Sequence, residues 1–250
     1  MFTVIKALFL RETYTMYGTS RFGYFWALFR DVFVIMFVAT MRYLTGMHFQ
    51  EGLHIVFFVV CGFFVYFMVT ECVAKCMRAI QANSGILSFP HVIPLDLMIS
   101  RCLFSFLANI QSAVIIVFIA VLCGIDFCVT NVGLLLYCIF STVLFGMATG
   151  IFISTIIVFY PIVEKMWIVV TRILLICSAV FIPLNVFPPK YIKILVYNPL
   201  LQIIEGMRSS ISHELVVVPI LNISYVNSFI LIFFVLGLSL QKVSRGRLDE

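Results

Sequence analysis

The chain is 250 residues long, with 63% hydrophobic and 11% charged residues. Its mean hydropathy of +1.17 excludes a soluble globular domain, because a folded protein still exposes much of its surface to water. The net charge of +5 comes from basic residues dispersed over several segments, which argues against a nucleic-acid partner. The sequence therefore predicts a protein that works at or across a lipid bilayer.

The N-terminal segment 2–17 mixes charged and apolar residues and is too short and too charged to cross a membrane. It is typical of a helix that lies in the membrane interface. Gly18 just beyond it favours a helix end there. The aromatic residues that follow suit the depth of the lipid headgroups. The segment therefore predicts an N-terminal interface helix on the cytoplasmic side.

Apolar stretches of about 20 residues, the length that crosses the hydrocarbon core of a bilayer, recur along the rest of the chain. They predict an all-α integral membrane fold with six transmembrane helices. The predicted spans are 22–46, 53–71, 97–125, 132–160, 166–187 and 219–240. Lys and Arg concentrate in the N-terminal arm, in the loops after the second and fourth spans, and in the tail. The positive-inside rule then places both termini in the cytoplasm.

Two connections are predicted to do more than join spans. The cytoplasmic loop 75–94 combines a short polar segment with Pro90 and Pro94, which force an extended exit. It is either a docking element for a cytoplasmic partner or a plain connector. The external segment 188–214 contains two apolar arms separated by Asn198 and Pro199, each too short to span the membrane. We predict a re-entrant helical hairpin there, with Glu205 and Arg208 paired at i and i+3 on its second arm.

Signals for catalysis and for bound metals are weak. The chain lacks a phosphate-binding loop of the Gly-x4-Gly-Lys-Ser/Thr type, which indicates that it does not itself bind ATP in the usual way. The spacing of His48, Glu51 and His54 only loosely suggests a metal site, and a solvated loop is the favoured interpretation. We therefore predict no catalytic residues, no metal ligands and no cofactor on this chain.

Small residues in the spans are interpreted mainly as packing elements. The eight cysteines are expected to pack as small apolar side chains, although Cys123 and Cys128 flank a short external loop and could pair. Gly146 and Gly150 form a Gly-x3-Gly motif that lets another helix approach closely. The approaching helix belongs either to the same subunit or to a second copy.

Several blocks in order along the chain resemble ABC-2 type permeases. They are Ala7-Leu-Phe-Leu-Arg-Glu12, Tyr17-Gly18, Arg21-Phe-Gly-Tyr-Phe-Trp-Ala27, Ile80-Gln-Ala-Asn-Ser-Gly85, Pro94-Leu-Asp96 with Arg101, Phe187-Pro-Pro-Lys190 and Tyr197-Asn-Pro-Leu-Leu201. The sequence is most similar to the bacterial inner-membrane permeases that export group 2 capsular polysaccharide. The resemblance covers almost the whole chain.

The resemblance implies the transport subunit of an ATP-driven exporter and not an enzyme. Such permeases act as homodimers with two copies of a separate ATP-binding cassette subunit, which carries the ATP and Mg. They move a lipid-anchored polysaccharide across the inner membrane and work with a periplasmic adaptor and an outer-membrane exporter. An exporter of O-antigen or of a small-molecule drug is the alternative. A membrane-embedded transferase is a weaker alternative, because the spans offer no cluster of acidic residues or histidines at one membrane face. A passive channel, which would retain transport without any ATPase subunit, is a further weak alternative.

On this hypothesis, three groups of residues are candidates for function. Substrate contact is assigned to cations that meet a lipid phosphate and to rings that stack on sugars: Arg11, Arg21, Arg30, Tyr14, Tyr17 and Trp26. Topology determination and interface anchoring are the other interpretations of the same residues. Coupling to the ATPase is assigned to Arg78, Gln81, Asn83, Ser84 and Asp96. The external hairpin contributes Asn198, Pro199, Glu205 and Arg208.

Overall fold

The computed structural model of the protein describes residues 5–12, 21–50, 52–79, 93–212 and 221–248. The chain is predominantly helical in these ranges. In chain order the helices are α1 (5–12), α2 (Arg21–Leu44), α3 (Ile55–Met77), α4 (Pro94–Leu122), α5 (Val132–Phe159), α6 (Ile162–Cys177), α7 (Pro189–Leu195), α8 (Pro199–Ile211) and α9 (Ile223–Leu248). A short antiparallel hairpin, β1 (Phe49–Gln50) with β2 (Leu53–His54), joins α2 to α3. A 3₁₀ turn lies at Leu184–Val186.

Four of the described helices are long and apolar enough to cross a membrane, namely α3, α4, α5 and, over residues 223–242, α9. Helix α2 has 24 residues but includes Arg30, Asp31 and Arg42. Helix α6 has 16 residues. The predicted helical membrane fold is therefore confirmed for four candidate spans, and a crossing by α2 or α6 stays a prediction.

Helices α3 and α6 differ from the predicted spans at their C-terminal ends, and α9 continues to Leu248, beyond the predicted end of the sixth span at residue 240. Helix α3 continues to Met77, beyond the predicted end of the second span at residue 71, and so carries Lys75 as part of the helix. Helix α6 ends at Cys177, ten residues before the predicted end of the fifth span. Pro183 and Pro188 disfavour helix around themselves, and the chain there forms turns and a 3₁₀ segment instead.

Helix α3 lies at the centre of the bundle, because most of its residues are buried. Helix α5 packs against it through the Gly-x3-Gly motif. A Cβ added at Gly146 would lie 3.4 Å from the Cβ of Cys72, and one added at Gly150 would lie 3.0 Å from the Sγ of Cys76. Of the two interpretations of this motif, the structure shows packing inside one subunit.

The helices define two ends of the bundle. The charged end is where the C-terminal part of α3 and the N-terminal part of α4 meet α1. The hairpin end carries the β1–β2 hairpin together with α7 and α8. Gly62 near this end of α3 lies directly under the segment 178–183, since an added Cβ would contact the carbonyl oxygen of Val180 and lie 2.9 Å from its carbonyl carbon. Only glycine permits this close approach of helix and loop.

Candidate functional site

Helices α2, α3 and α4 are joined at the charged end by a polar network centred on Arg30. The Arg30 guanidinium donates to Asp31 Oδ1 from Nε at 2.9 Å and from Nη2 at 2.7 Å, and Nη2 also donates to Glu71 on α3. The other Glu71 oxygen accepts from Asn109 Nδ2 on α4 at 3.3 Å and lies 3.8 Å from Lys75 Nζ. Asp31 is 3% exposed. Burying a charge is costly unless it is paired, and the ion pair with Arg30 meets this requirement.

A cleft of about 520 Å³ opens between α2, α3 and α6 beside this network. Aromatic rings form part of its wall, and charged side chains stand around it. The lining includes Arg30, Phe63, Tyr66, Phe67, Glu71, Arg78, Glu164 and Trp167. The Arg78 Nε lies 3.3 Å from Glu164 Oε1, and this ion pair joins the end of α3 to the start of α6. Rings beside hydrogen-bonding groups are the usual chemistry of a polar-ligand site.

Two nitrogen donors of the cleft residues lack an acceptor in the described part of the protein. The Arg30 side chain is 53% exposed. Its Nε and Nη2 are engaged, while its Nη1 has no partner among the described residues. The buried Trp167 Nε1 likewise has no acceptor within the described part of the chain. An unpaired buried donor such as Trp167 Nε1 costs free energy, and the half-exposed Arg30 side chain is open to the cleft. Both nitrogens are therefore suited to a ligand rich in acceptor oxygens.

Helix α1 packs onto the bundle at the charged end. Leu8 is buried in a cluster with Met68 and Met98. The Glu12 Oε1 accepts from Arg101 Nε at 2.9 Å, and Arg101 Nη1 donates to the carbonyl oxygen of Lys75 at 2.9 Å. Arg101 thereby fixes α1 and also satisfies a carbonyl in the last turn of α3, which has no partner within its helix.

The hairpin end is held together by Arg208, which is 2% exposed. Its Nη1 donates to Glu205 Oε1 at 2.6 Å, and its Nη2 donates to the carbonyl oxygens of Ala179 at 2.9 Å and Val180 at 2.8 Å. The guanidinium carbon lies 3.5 Å from the centre of the Phe58 ring. We call these five residues the Arg208 cluster. The predicted pair of Glu205 and Arg208 is present, and it also joins α8 to α3 and to the loop after α6.

The two predicted arms of the hairpin are the helices α7 and α8. Asn198 caps α8, since its Oδ1 accepts from the Leu200 amide at 3.0 Å, and Pro199 occupies the first turn, where its missing N–H costs nothing. The Asn198 Nδ2 also donates to Ser178 Oγ at 2.9 Å. Most residues of α8 are buried in the bundle. Helix α8 is therefore a fixed part of the core and not a surface loop.

The other predicted site residues are distributed unevenly. Arg30 and Arg78 lie together at the cleft, whereas Arg11 is an exposed residue of α1 and does not line it. Asp96 is buried in the first turn of α4, and its Oδ1 has no hydrogen-bond partner among the described residues. The remaining candidates lie outside the described residues or side chains: Tyr14, Tyr17, Arg21, Trp26, Gln81, Asn83 and Ser84.

Sequence reasoning missed the partners that complete the cleft. In the sequence, Glu71 and Glu164 each have a nearby lysine, Lys75 and Lys165, that could satisfy the charge locally. Glu71 does approach Lys75, but it also binds Arg30, and the partner of Glu164 is Arg78. An acidic residue inside an apolar helix was the available signal, because such groups are usually paired or functional.

Five of the eight cysteines are buried in the interior, and two of these five form a disulfide. Cys72 on α3 and Cys102 on α4 form a disulfide, and Cys76 Sγ lies 3.5 Å from Cys102 Sγ. Cys123 and Cys128 are free and exposed, so the possible pairing of these two is not present. Within the described residues, Cys72, Cys76 and Cys102 are the one group of three potential ligands at metal-binding distances. His48 and His54 are not part of such a group, and Glu51 lies outside the described residues.

Comparison with known proteins establishes the class. The model of the ABC-2 type transporter family matches residues 3–212, and the chain belongs to this family of transmembrane permeases. Polysialic acid transport protein KpsM of Escherichia coli is 24% identical over 240 residues, which cover 95% of this chain and 92% of the relative.

Two further relatives are named for capsule export. Capsule polysaccharide export inner-membrane protein BexB of Haemophilus influenzae is 26% identical over 208 residues, which cover 82% of this chain and 77% of the relative. Capsule polysaccharide export inner-membrane protein CtrC of Neisseria meningitidis serogroup A is 23% identical over 206 residues, which cover 82% of this chain and 78% of the relative. The chain is thus similar to capsule export permeases over most of its length.

Proposed function

We propose that this chain is the permease subunit of an ATP-driven transporter that exports lipid-linked capsular polysaccharide across the bacterial inner membrane. The observation that carries the proposal is the similarity to permeases named for capsule polysaccharide or polysialic acid over 82–95% of this chain. The cleft at the charged end supplies the chemistry that such a substrate needs.

The proposed topology has six crossings with both termini in the cytoplasm. Helices α2 and α6 are the two additional crossings, and the turns at 178–187 complete the path of α6. The alternation of chain direction supports this topology, since α2, α4 and α6 run from the charged end to the hairpin end while α3, α5 and α9 run back. The charged end then faces the cytoplasm. The hairpin of α7 and α8 enters the outer leaflet, where surrounding protein satisfies its non-helical backbone.

The proposed substrate contact is at the cleft. A glycan anchored through a lipid phosphate offers many acceptor oxygens, and Arg30 Nη1 and Trp167 Nε1 are donors without an acceptor among the residues that the structure describes. The ion pairs of Arg30 with Asp31 and Glu71 offset the cost of about 3 kcal/mol of placing a charge in a membrane helix. They also hold the guanidinium at the cleft. Sugar faces stack on the rings of Tyr66 and Phe67.

The proposed assembly is a homodimer with two copies of a separate ATP-binding subunit, which holds the ATP and Mg. None of the residues of α6 is buried in the single chain. On α2, the Phe29, Phe33 and Phe37 rings form a stacked stripe, with the last two 56% and 52% exposed. These two surfaces flank the cleft and are suited to contact a second copy. The segment from Arg78 to Asp96 docks on the ATPase, and a periplasmic adaptor and an outer-membrane exporter complete the path.

The first experiment is deletion of the gene, with capsule visualised by electron microscopy. We expect bare cells with polymer retained in the cytoplasm. An intact capsule would contradict the proposal and favour an exporter of O-antigen or of a drug, which lipopolysaccharide gels and drug sensitivity would then distinguish.

A second experiment tests the cleft by complementing the deletion with Arg30→Gln. Loss of one charge-assisted contact to phosphate, worth about 1.5–3 kcal/mol, predicts a decrease of surface polysaccharide by about tenfold or more. The matched control is Arg42→Gln, an arginine near the other end of α2 that lines a different cavity. Equal capsule in the two variants, at equal protein levels in the membrane, would refute the role of Arg30.

A further inference from the structure

Two adjoining cavities at the hairpin end differ sharply in chemistry. The first, which we call the cup, has a volume of about 710 Å³ and is lined by residues that include Tyr43, His48, Phe49, His54 and Asp126. The second, which we call the groove, has a volume of about 460 Å³ and lies between α3, α4 and α5. Both cavities include Phe57 and Ile211 in their lining, so the groove runs directly into the cup.

The groove is apolar along its whole lining. Its fifteen lining residues are aliphatic, aromatic or sulfur-containing, and those on the outer wall are exposed on α4. Val114 is 61% exposed, and Phe118 is 63% exposed. In a transmembrane permease, the medium that surrounds such a surface in the plane of the membrane is hydrocarbon. A groove of this composition therefore suits an acyl chain.

The cup suits a headgroup that carries an ammonium. Asp126 is exposed and takes part in no ion pair among the described residues. The rings of Tyr43 and His48 are 4.3 Å apart, and those of Phe49 and His54 are 5.5 Å apart. Desolvation, and to a smaller extent the coulombic effect of His48, lowers the pKa of His54, which favours the neutral imidazole. One carboxylate among aromatic rings attracts a cation.

The groove lies on a different face of α3 from the proposed substrate cleft. Phe57, Cys61 and Phe64 line the groove, while Phe63 and Phe67 line the cleft. The exposed surfaces of α6 and α2 border the cleft and leave the groove open to the membrane. The cleft and the groove are thus accessible at the same time.

We propose that the cup and groove together bind one zwitterionic aminophospholipid, with an acyl chain in the groove and the ammonium of its headgroup at Asp126. This lipid is a component of the surrounding bilayer and not the exported glycan. The assignment of this lipid to the outer leaflet rests on the proposed topology, in which the charged end faces the cytoplasm. Its binding to the purified protein does not depend on transport.

The test is native mass spectrometry of the full-length permease released from nanodiscs that contain equal amounts of phosphatidylethanolamine and phosphatidylglycerol. We expect the protein to retain phosphatidylethanolamine over phosphatidylglycerol by about fivefold, the discrimination that one exposed cation–π contact and one exposed ion pair provide. Asp126→Asn should reduce this ratio to about one while lipid is still retained. Equal retention of the two lipids by the unmodified protein would overturn the proposal.

A second pair of variants tests the groove. Val114→Trp fills the groove and should abolish lipid retention, whereas Val235→Trp, a matched exposed position on α9 at 57% exposure, should leave it unchanged. Retention by Val114→Trp equal to that of the unmodified protein would overturn the assignment of the acyl chain. A change of oligomeric state in Val114→Trp alone would show that a second copy occupies the groove, which would also overturn it. An intact capsule after gene deletion would refute the export proposal but would not change any of these lipid-binding results. The two proposals can therefore be refuted independently.

Discussion

Replacing Arg208 by methionine tests whether the hairpin end is held by one buried cation. The substitution keeps much of the side-chain length but removes the donors to Glu205, Ala179 and Val180 and the contact with the Phe58 ring. Glu205 has a side-chain exposure of 13% and would be left as a buried charge without its partner. Removing one partner of a buried ion pair costs about 3–5 kcal/mol, so we expect the free energy of unfolding to fall by about that amount.

The comparison variants separate the ion pair from the other contacts of Arg208. Glu205→Gln keeps an acceptor for the guanidinium and should cost about 1–2 kcal/mol. The double variant should cost less than the sum of the two single variants, because a neutral glutamine does not require a cation.

The measurement is unfolding of the purified protein in mixed micelles, followed by tryptophan fluorescence and circular dichroism. The matched control is Arg42→Met, since this arginine at the same end donates to Met47 Sδ and its replacement should change stability by less than about 0.5 kcal/mol. A loss below about 1 kcal/mol in Arg208→Met, or strictly additive single variants, would refute the argument.

Three further predictions concern packing, docking and thiols. Gly62→Ala should lower the free energy of unfolding by about 1–3 kcal/mol, because its methyl group would contact the Val180 carbonyl. Gly133→Ala should not, since a Cβ added there would make only an ordinary contact with Asn131 Oδ1 at 3.5 Å. Equal effects of the two substitutions in the same micelle assay would contradict the close approach at Gly62. Glu12→Gln removes the ion pair with Arg101 and should weaken the attachment of α1, which would speed proteolysis near the N-terminus. Lys6→Gln, at an exposed position, should not. Identical cleavage rates in the two variants would count against a role for the ion pair. The denatured protein should bind six maleimides before reduction, since six cysteines are free and two form a disulfide. Eight before reduction would show that the disulfide is absent from the isolated protein.

Ion pairs between residues that are close in the sequence could mostly be predicted. Arg30 with Asp31, Glu71 with Lys75, and Glu205 with Arg208 are neighbours or lie three or four residues apart, and all three pairs are present. On a helix, spacings of three and four residues place side chains on one face, whereas Arg30 and Asp31 are adjacent in the chain. These pairs therefore do not depend on how the helices pack against one another.

Distant partners could not be read in the same way. Arg30 with Glu71, Arg78 with Glu164 and Arg101 with Glu12 join different helices. The choice of partner depends on the rotation and the crossing of each helix, which packing determines. The glycines of α5 show the same limit, because their spacing indicated a close approach but not which helix approaches.

The sequence by itself determined that the protein is an α-helical membrane protein, where its long apolar helices lie, and that a proline divides the segment before the last helix into two short pieces. These features follow from hydrophobic length and from the backbone limits of proline, which act within one segment. Only the tertiary structure decided that Arg30, Arg78 and Trp167 border one cleft, that Arg208 binds the carbonyls of a distant loop, and that the groove meets the cup. Each of these depends on contacts between segments far apart in the chain, and no local pattern specifies such contacts.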